Sequence, residues 1–304
     1  MRLDQIPDPV QRERQLDYNR AIAQKIRNRL QQLENANDND KKRWVWELLQ
    51  NAKDTVKDRK VDIEIVVNEN YIEFKHNGGY FNARNITNLI HQISSKEGLE
   101  GSIGRFGTGF LTTHTLSRLI EVEGIFVASD EFYTFELRLD RQKTTEKDLV
   151  KGIEEAWNSF KSNKVEEPKN QVWSVFRYLN PDISLATETL KDFETYIHFN
   201  LAFVQGLGNI TINNQIENRT TTFKLTKEPQ KIDKNLYIFS FQKEKEEINV
   251  LLAKHEDLSI AIEIEKLENT YAFKPIKQNI PRIFCAFPLL SLIHISEPTR
   301  HVDI

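Results

Sequence analysis

The sequence predicts an α+β protein in which helices cover one face of a mostly antiparallel sheet. In the first sixty residues, apolar side chains recur with the spacing of amphipathic helices. After residue 60 the period shortens to that of strands rich in β-branched and aromatic residues, with helical stretches between them. Helices and strands therefore come in runs rather than in strict alternation, which favours an α+β sandwich over a parallel α/β fold.

Composition excludes several classes of protein. A chain of 304 residues with 39% hydrophobic and 29% charged residues can fill one large domain or two. Its net charge of −3 gives no indication of nucleic-acid binding. Cys285 is the single cysteine, which rules out an intrachain disulfide and a cysteine-based metal site. No apolar signal region or membrane-spanning run is present in the sequence, so we expect a cytoplasmic protein that does not bind membranes.

The predicted elements of the first half follow from local periodicity and from turn residues. ENANDND (34–40) breaks the first helix and supplies N-cap candidates for the second. The elements are helices at 9–33 and 43–58, strands at 61–67 and 71–76, a glycine turn at 76–81, a helix at 82–93, a glycine-rich passage at 94–110, a helix at 110–120, paired strands within 121–140 across Asp130, a helix at 145–162, a charged linker and a strand at 172–179.

The second half begins after NPD (180–182). A helix from about Ser184 to Val204 is followed by the short strand patterns NITIN, TTFKLT, LYIFSFQK, EINVLLAK and LSIAIEIE. We therefore predict two domains, 1–180 and a smaller α+β domain at 181–289.

The last residues predict nothing about the fold. LSLIHISEPTR (290–300) resembles, residue for residue, the translation of a transposase adapter used in sequencing libraries, and HVDI would be flanking adapter. On this interpretation residues 290–304 are an artefact, the natural protein is longer, and the chain is an N-terminal fragment.

The helix at 43–58 has two contrasting faces. Glu47, Asn51 and Asp54 follow at i, i+4 and i+7 and share one face. The opposite face is an apolar stripe of Val45, Leu48, Leu49, Ala52 and Val56. Taken alone, such a polar face is most simply a solvated surface, so its interpretation depends on the rest of the chain.

Two glycine-bearing stretches change that interpretation. His76-Asn77-Gly78-Gly79 ends a predicted strand, and Gly104-Arg105-Phe106-Gly107-Thr108-Gly109 opens a predicted helix. Glycines permit close backbone approach, and a helix start presents free N–H groups, so the second stretch suits a phosphate chain. Alone it is equally compatible with a plain flexible loop, and its spacing is neither the Walker nor the Rossmann type.

The polar helix face supplies chemistry that complements a phosphate site. Magnesium bound to a nucleotide needs few protein oxygens, so Asn51 with the phosphates would suffice. Glu47, one turn away, could orient or deprotonate an attacking water. Phosphoryl transfer needs positioning and charge compensation rather than a covalent nucleophile, and the sequence shows no such nucleophile.

Together, ELLQNAKD (47–54), the NG turn (77–78) and IGRFGTGF (103–110) resemble the ATP-binding domain of the GHKL superfamily. This superfamily unites gyrase B, the ninety-kilodalton heat-shock chaperones, histidine kinases and MutL, and bacterial chaperone-like and sacsin-like members look closest. The resemblance implies a Bergerat-type sandwich over residues 1–180. Residues 181–289 are similar in placement to the transducer domain of the clamp-forming members.

The resemblance also implies roles for individual residues. Glu47 matches the residue that activates water, Asn51 the magnesium ligand, and Asp54 the next acidic position on the helix. Gly78 matches the glycine of the adenine-side turn. The glycines of the lid hinge would be Gly104, Gly107 and Gly109. Further nucleotide contacts would come from His76, Asn77, Ser94, Ser95, Lys96, Arg105, Phe106, Thr108 and Phe110.

One residue departs from the family pattern. His76 stands where the family usually has an aspartate, whose carboxylate accepts a hydrogen bond from the adenine amino group. A neutral histidine can accept through one ring nitrogen, whereas a protonated one cannot. Base recognition is therefore open, and Asn77 or a water is an alternative acceptor.

The resemblance implies a magnesium-dependent ATPase whose lid closes over ATP and drives a clamp-like cycle in a chaperone-like or defence-type protein, with homodimerisation through the full-length chain. The protein client stays unknown, and either Lys274 or Lys277 could be the transducer lysine. A nucleotide-gated interaction module without turnover is one alternative. A histidine protein kinase is another, although the helix at 9–33 has few apolar positions for a phosphoacceptor dimer.

Overall fold

The computed structural model describes residues 8–92, 109–170, 172–256, 258–268, 270–276, 284–285 and 287–288. Within these ranges seven α-helices accompany a large mixed sheet. The α+β class predicted from the sequence, with helices on a mostly antiparallel sheet, is confirmed.

The helices begin at residues that cap them or continue a preceding turn. Asn82, Thr145 and Asp182 each accept the backbone N–H three residues further on, which satisfies a free donor of the first turn. The helices are α1 (Asp8–Glu34), α2 (Asp38–Lys41), α3 (Trp44–Asp54), α4 (Ala83–His91), α5 (Gly109–Thr112), α6 (Glu146–Ser159) and α7 (Ile183–Phe203).

The strands account for most of the second half of the chain. They are β1 (Val61–Val67), β2 (Tyr71–His76), β3 (Phe81–Asn82), β4 (Leu119–Ala128), β5 (Glu131–Asp140), β6 (Lys161–Val165), β7 (Ser174–Leu179), β8 (Leu207–Asn214), β9 (Arg219–Leu225), β10 (Gln230–Asp233), β11 (Leu236–Lys243), β12 (Glu246–His255), β13 (Leu258–Lys266), β14 (Tyr271–Phe273), β15 (Phe284–Cys285) and β16 (Phe287–Pro288). The predicted pairing across Asp130 is confirmed, because Ser129 and Asp130 form the β4–β5 turn with φ of 50° and 61°.

The main sheet has the strand order β14-β13-β12-β11-β9-β8-β1-β2-β7-β4-β5-β6. In addition, β10 pairs with β11 and β3 with β4, while β15 and β16 form a separate pair. The β1–β8 and β3–β4 pairings are parallel, and the other pairings are antiparallel.

The two faces of this sheet differ in chemistry. On β2, Ile72 and Phe74 are fully buried against the helical layer, and His76 continues this series at the end of the strand. On the opposite face, Glu73 pairs with Arg177 of β7 at 2.6 Å. Alternate residues of a strand point to opposite faces of the sheet. Ile72, Phe74 and His76 therefore share the face that lies beneath the helices.

The regions on either side of residue 180 share one sheet and one helical layer. β1 pairs in parallel with β8, which joins the first part of the sheet to the second. In the helical layer, the Trp46 ring of α3 lies 4.7 Å from Phe193 and 5.5 Å from Tyr196 of α7, measured between ring centroids. The division into domains at residue 180 stays a prediction.

The prediction of a helix over 110–120 is wrong in its second half. α5 leads into a single 3-10 turn, Thr113–Thr115, and β4 already begins at Leu119. Ser117 ends the helical path because its hydroxyl accepts the Leu119 N–H and donates to the Leu179 carbonyl. The alternating pattern of 119–128 therefore prevails over the helical spacing before it.

Two further boundaries also differ from the prediction. The charged linker after α6 contains β6, which pairs with the edge of β5 through backbone hydrogen bonds that its polar side chains do not reveal. The break at 34–40 caps a different helix from the one expected, because the Asn37 side chain accepts the Asp40 N–H at the start of α2. α3 instead follows the helical turn at Arg43 without a side-chain cap.

Candidate functional site

The polar face of α3 is partly covered by the rest of the molecule. Glu47, Asn51 and Asp54 are all half-buried. The apolar side holds the helix in place through Trp44, Val45, Trp46, Leu48, Leu49 and Ala52, which are buried. Because the helix cannot turn without exposing this apolar surface, the three polar side chains have a fixed direction.

Glu47 lies between an arginine and a glycine. Arg43 Nη2 donates to Glu47 Oε1 at 3.1 Å from the preceding helical turn. The other carboxylate oxygen, Oε2, lies so close to Gly109 that a β-carbon there would overlap it. The side chain of Glu47 is 16% exposed. Its carboxylate is therefore held on one side by a charge and meets the first residue of α5 on the other.

The turn after β2 packs against the C-terminal end of α3. The Thr55 hydroxyl donates to the Ala52 carbonyl at 2.6 Å and accepts the Gly79 N–H at 2.9 Å. A β-carbon at Gly78 would overlap Thr55 Oγ1 and come within 3.3 Å of the Ala52 carbonyl oxygen. Glycine is therefore required at Gly78 by close approach to the helix.

Arg59 and Asp62 hold the same turn from its other side. Arg59 Nη2 donates to the carbonyl oxygens of Asn77 and Gly78, both at 2.7 Å. The Asn77 side chain accepts the Asp62 N–H at 2.7 Å and donates to the Asp62 carboxylate at 3.0 Å. These bonds fix the backbone of the turn relative to β1.

His76 is buried at the end of β2, with 3% of its surface exposed. Gly78 N–H donates to its Nδ1 at 3.1 Å. Burial, and secondarily the charge of Arg59, lower the pKa of His76 to about 4. The ring is therefore neutral near pH 7.

Next to His76 lie a hydroxyl and an aromatic ring of β7. Ser174 is its cross-strand partner and is buried. Phe176 stacks on the His76 ring with the centroids 6.1 Å apart, and Phe110 of α5 lies 5.9 Å from Phe176. Sequence reasoning missed Ser174. The signal was available in the alternation of VWSVFRYL (172–179), because Ser174 has the same parity as the buried Phe176.

A buried network connects the helices on either side of this region. Arg141 is fully buried and donates to the carbonyl oxygens of Ile90 and Gly152, at 2.9 and 3.0 Å. Its Nε donates to Gln92 Oε1 at 3.3 Å, and the Gln92 amide in turn bonds His114. Burial lowers the pKa of Arg141 to about 10. The network ties the end of α4 to the 3-10 turn that follows α5.

His114 completes this network as a packed, neutral side chain. Burial, followed by the charge of Arg141, lowers its pKa to about 3. Its Nδ1 lies 3.2 Å from the Ser117 carbonyl, to which it donates. Sequence reasoning gave no indication of Arg141, since a lone arginine after a strand has no distinguishing pattern.

The structure brings together part of the predicted site. Glu47 meets Gly109, and the far end of α3 meets the turn that contains His76, Asn77 and Gly78. Asn51 and Asp54 lie on the same half-buried face. The predicted residues Ser94, Ser95, Lys96, Gly104, Arg105, Phe106, Gly107 and Thr108 lie outside the described residues.

Two kinds of feature are absent from the described residues. Among them, no group of three or more His, Cys, Asp or Glu side chains is arranged to hold a metal ion. In the same part of the chain, no helix has both the length and the apolar character needed to cross a membrane.

Comparisons with known proteins give similarity only to solved structures. No protein-family model and no curated protein matches the sequence. The B subunit of DNA gyrase from Myxococcus xanthus is similar with a TM-score of 0.41 at 13% identity, over 70% of this chain and 62% of that one. The ATP-binding domain of topoisomerase IV from Francisella tularensis, in complex with a small-molecule inhibitor, is similar with a TM-score of 0.37 at 17% identity, over 65% of this chain and 57% of that one. This chain therefore spans less than two thirds of either structure's length.

Proposed function

We propose that this chain binds ATP with magnesium and hydrolyses it, as members of the GHKL superfamily do. The observation that carries the proposal is the position of Glu47, whose carboxylate lies between Arg43 and Gly109. It shares a half-buried face with Asn51, and the same helix ends against the turn at 76–79.

The donor atoms of this face fit a magnesium nucleotide. Asn51 offers an amide oxygen one helical turn from Glu47, and hard cations such as magnesium prefer oxygen ligands. Magnesium would supply charge compensation on the phosphates when bound. Gly109 lacks a β-carbon, which allows the Glu47 carboxylate to lie directly against the start of α5. Asn51 would therefore hold the metal together with the phosphate oxygens.

Glu47 would act on the attacking water. Its carboxylate orients the water toward the γ-phosphorus and accepts a proton as the new P–O bond forms and the bridging P–O bond to ADP breaks. Arg43 would fix the direction of the carboxylate through the bond to Oε1. His76, Asn77, Gly78 and Phe110 would line the base and ribose side.

The remaining parts of the proposal come from the sequence. Ser95, Lys96 and the stretch 104–109 would contact the phosphates and close over them, and Asp54 would lie near the nucleotide. Residues 181–289 would act as a transducer that couples ATP to a clamp-like, dimerising cycle in a chaperone-like or defence-type protein. The cytoplasmic location belongs to the same proposal.

Phosphate release and thermal stabilisation by ATP test the proposal. We expect Glu47→Ala to lose turnover and keep stabilisation by ATP, and Asn51→Ala to lose both. Glu154→Ala, an exposed glutamate of α6, is the matched control and should behave as the wild type. Absence of stabilisation by any nucleoside triphosphate at millimolar concentration would refute the nucleotide site. Unchanged turnover in Glu47→Ala would remove the catalytic role.

A nucleotide-gated module without turnover is the second candidate. It is favoured by the buried, neutral His76, which differs from the carboxylate of the family pattern. The same assay separates the two functions. Stabilisation by ATP without phosphate release in the wild type would select the module.

A further inference from the structure

The hydrogen-bonding character of His76 is determined by its own backbone. Gly78 N–H lies 3.1 Å from His76 Nδ1. A backbone N–H only donates, so Nδ1 carries the lone pair and accepts. In the neutral ring the single proton is then on Nε2, which makes Nε2–H a donor.

The environment keeps the ring in this form. His76 is 3% exposed, and Arg59 donates to the carbonyl oxygens of the turn next to it. Burial and this positive charge lower the pKa of His76 to about 4, so the ring does not gain a second proton near pH 7. Arg59 is also held against the backbone of the turn, so it maintains the bond to Nδ1.

The side chains next to His76 do not supply a group that acts only as a hydrogen-bond acceptor. Ser174 lies directly opposite His76, and its hydroxyl can donate or accept as the ligand requires. Phe176 stacks on the imidazole and offers only an aromatic face. The fixed polar contact at this end of the sheet is therefore a donor.

We propose that His76 Nε2–H donates to the 6-oxygen of guanine or hypoxanthine, so that this site binds 6-oxopurine nucleoside triphosphates more tightly than ATP. The inference rests on the proposed function, in which His76 contacts the base. The 6-amino group of adenine is itself a donor and would face the Nε2–H donor without a bond. The 6-oxygen of the other two bases is an acceptor and pairs with it. Leaving a buried donor unpaired in this way corresponds to a difference of roughly tenfold in affinity.

A comparison of inosine triphosphate with ATP isolates the 6-position, because inosine lacks the 2-amino group of guanosine. We expect the wild-type protein to bind inosine triphosphate roughly tenfold more tightly than ATP in isothermal titration with magnesium. GTP should follow inosine triphosphate. No variant is needed for this comparison.

The His76→Asp variant should reverse the preference. Its carboxylate can still accept the Gly78 N–H two residues on, as aspartates do in turns, and its second oxygen can accept from the adenine amino group. His255→Asp, a change of the same type on the exposed end of β12, should keep the wild-type preference. Nitrogen-15 spectra of labelled histidine give a second measurement on the wild type, with protonated Nε2 and unprotonated Nδ1 expected for His76.

The outcomes separate this inference from the function on which it rests. Tighter binding of ATP than of inosine triphosphate by the wild type would overturn the inference and leave the proposed ATPase intact. The same preference in wild type and His76→Asp, or a His76 ring protonated on Nδ1, would also overturn it. Failure of all three triphosphates to bind would refute the proposed nucleotide site itself.

Discussion

The two ends of α3 differ in their physical chemistry. Near its start, Glu47 is a half-buried side chain that forms an ion pair with Arg43. At its far end, His76 is neutral and buried, and the N–H groups of the adjoining turn donate to the side chains of His76 and Thr55. An ion pair whose arginine is half-exposed contributes little to stability, whereas a buried polar group that loses its partner costs more. Mutations at the Glu47 end should therefore separate activity from stability, and mutations at the His76 end should affect both.

Gly78→Ala gives the largest expected effect. The new β-carbon would overlap Thr55 Oγ1 and lie 2.8 Å from His76 Nδ1, so the turn would have to move away from α3. We expect the free energy of unfolding to fall by about 2–3 kcal/mol, as for overpacking of a buried site. Denaturant unfolding measures this change. A loss below about 0.5 kcal/mol would show that the turn is not packed as described.

Gly109→Ala tests the Glu47 end with the same chemical change. Here the β-carbon would overlap the end of the Glu47 side chain, which can rotate away, and it would overlap no backbone atom of the described residues. We expect the unfolding free energy to change by less than about 1 kcal/mol and turnover to fall about a hundredfold, because the carboxylate is displaced. Phosphate release and unfolding are measured on one preparation. A parallel loss of turnover and of unfolding free energy would contradict the expectation that the Glu47 end can be changed without loss of stability.

Acid should destabilise the protein through its buried histidines. The pKa of His76 is lowered to about 4 and that of His114 to about 3, while the unfolded chain has histidines near 6.5. Below pH 6.5 the unfolded state binds protons that the folded state does not, so stability is full above this pH and falls toward pH 4. The slope should be about 1.4 kcal/mol per pH unit for each histidine, measured by denaturant unfolding at several pH values.

The control for this pH dependence is His76→Gln, in which one titrating group is lost. The variant should lose its share of the slope between pH 4 and 6.5 and keep the share due to His114. An identical slope in wild type and variant would show that His76 is not buried in its neutral form.

The periodicity of apolar residues predicted most of the helices and strands. It failed where backbone hydrogen bonds alone form a strand. The limits of β1 and β2 were predicted correctly because alternating apolar residues in 61–76 report burial directly. β6 was missed because its polar residues at 161–165 pair through the backbone alone. The candidate face of α3 was predicted from spacing, which fixes the face of a helix. Arg43 was not predicted, since its role depends on the rotamer of one carboxylate.

Arg43→Gln has the smallest expected effect and tests the Glu47 end of α3 alone. Without a charge at this position, the Glu47 carboxylate loses its partner and samples other rotamers. We expect kcat for ATP hydrolysis to fall about tenfold with KM changed by less than about twofold, and Arg43→Lys to restore part of kcat. Arg20→Gln, which removes an exposed arginine of α1, is the control and should leave both constants unchanged. If Arg43 had only a structural role, its loss would lower the unfolding free energy and would not lower kcat selectively over KM. A positioning role leaves stability within about 0.5 kcal/mol, since the Arg43 side chain is 48% exposed.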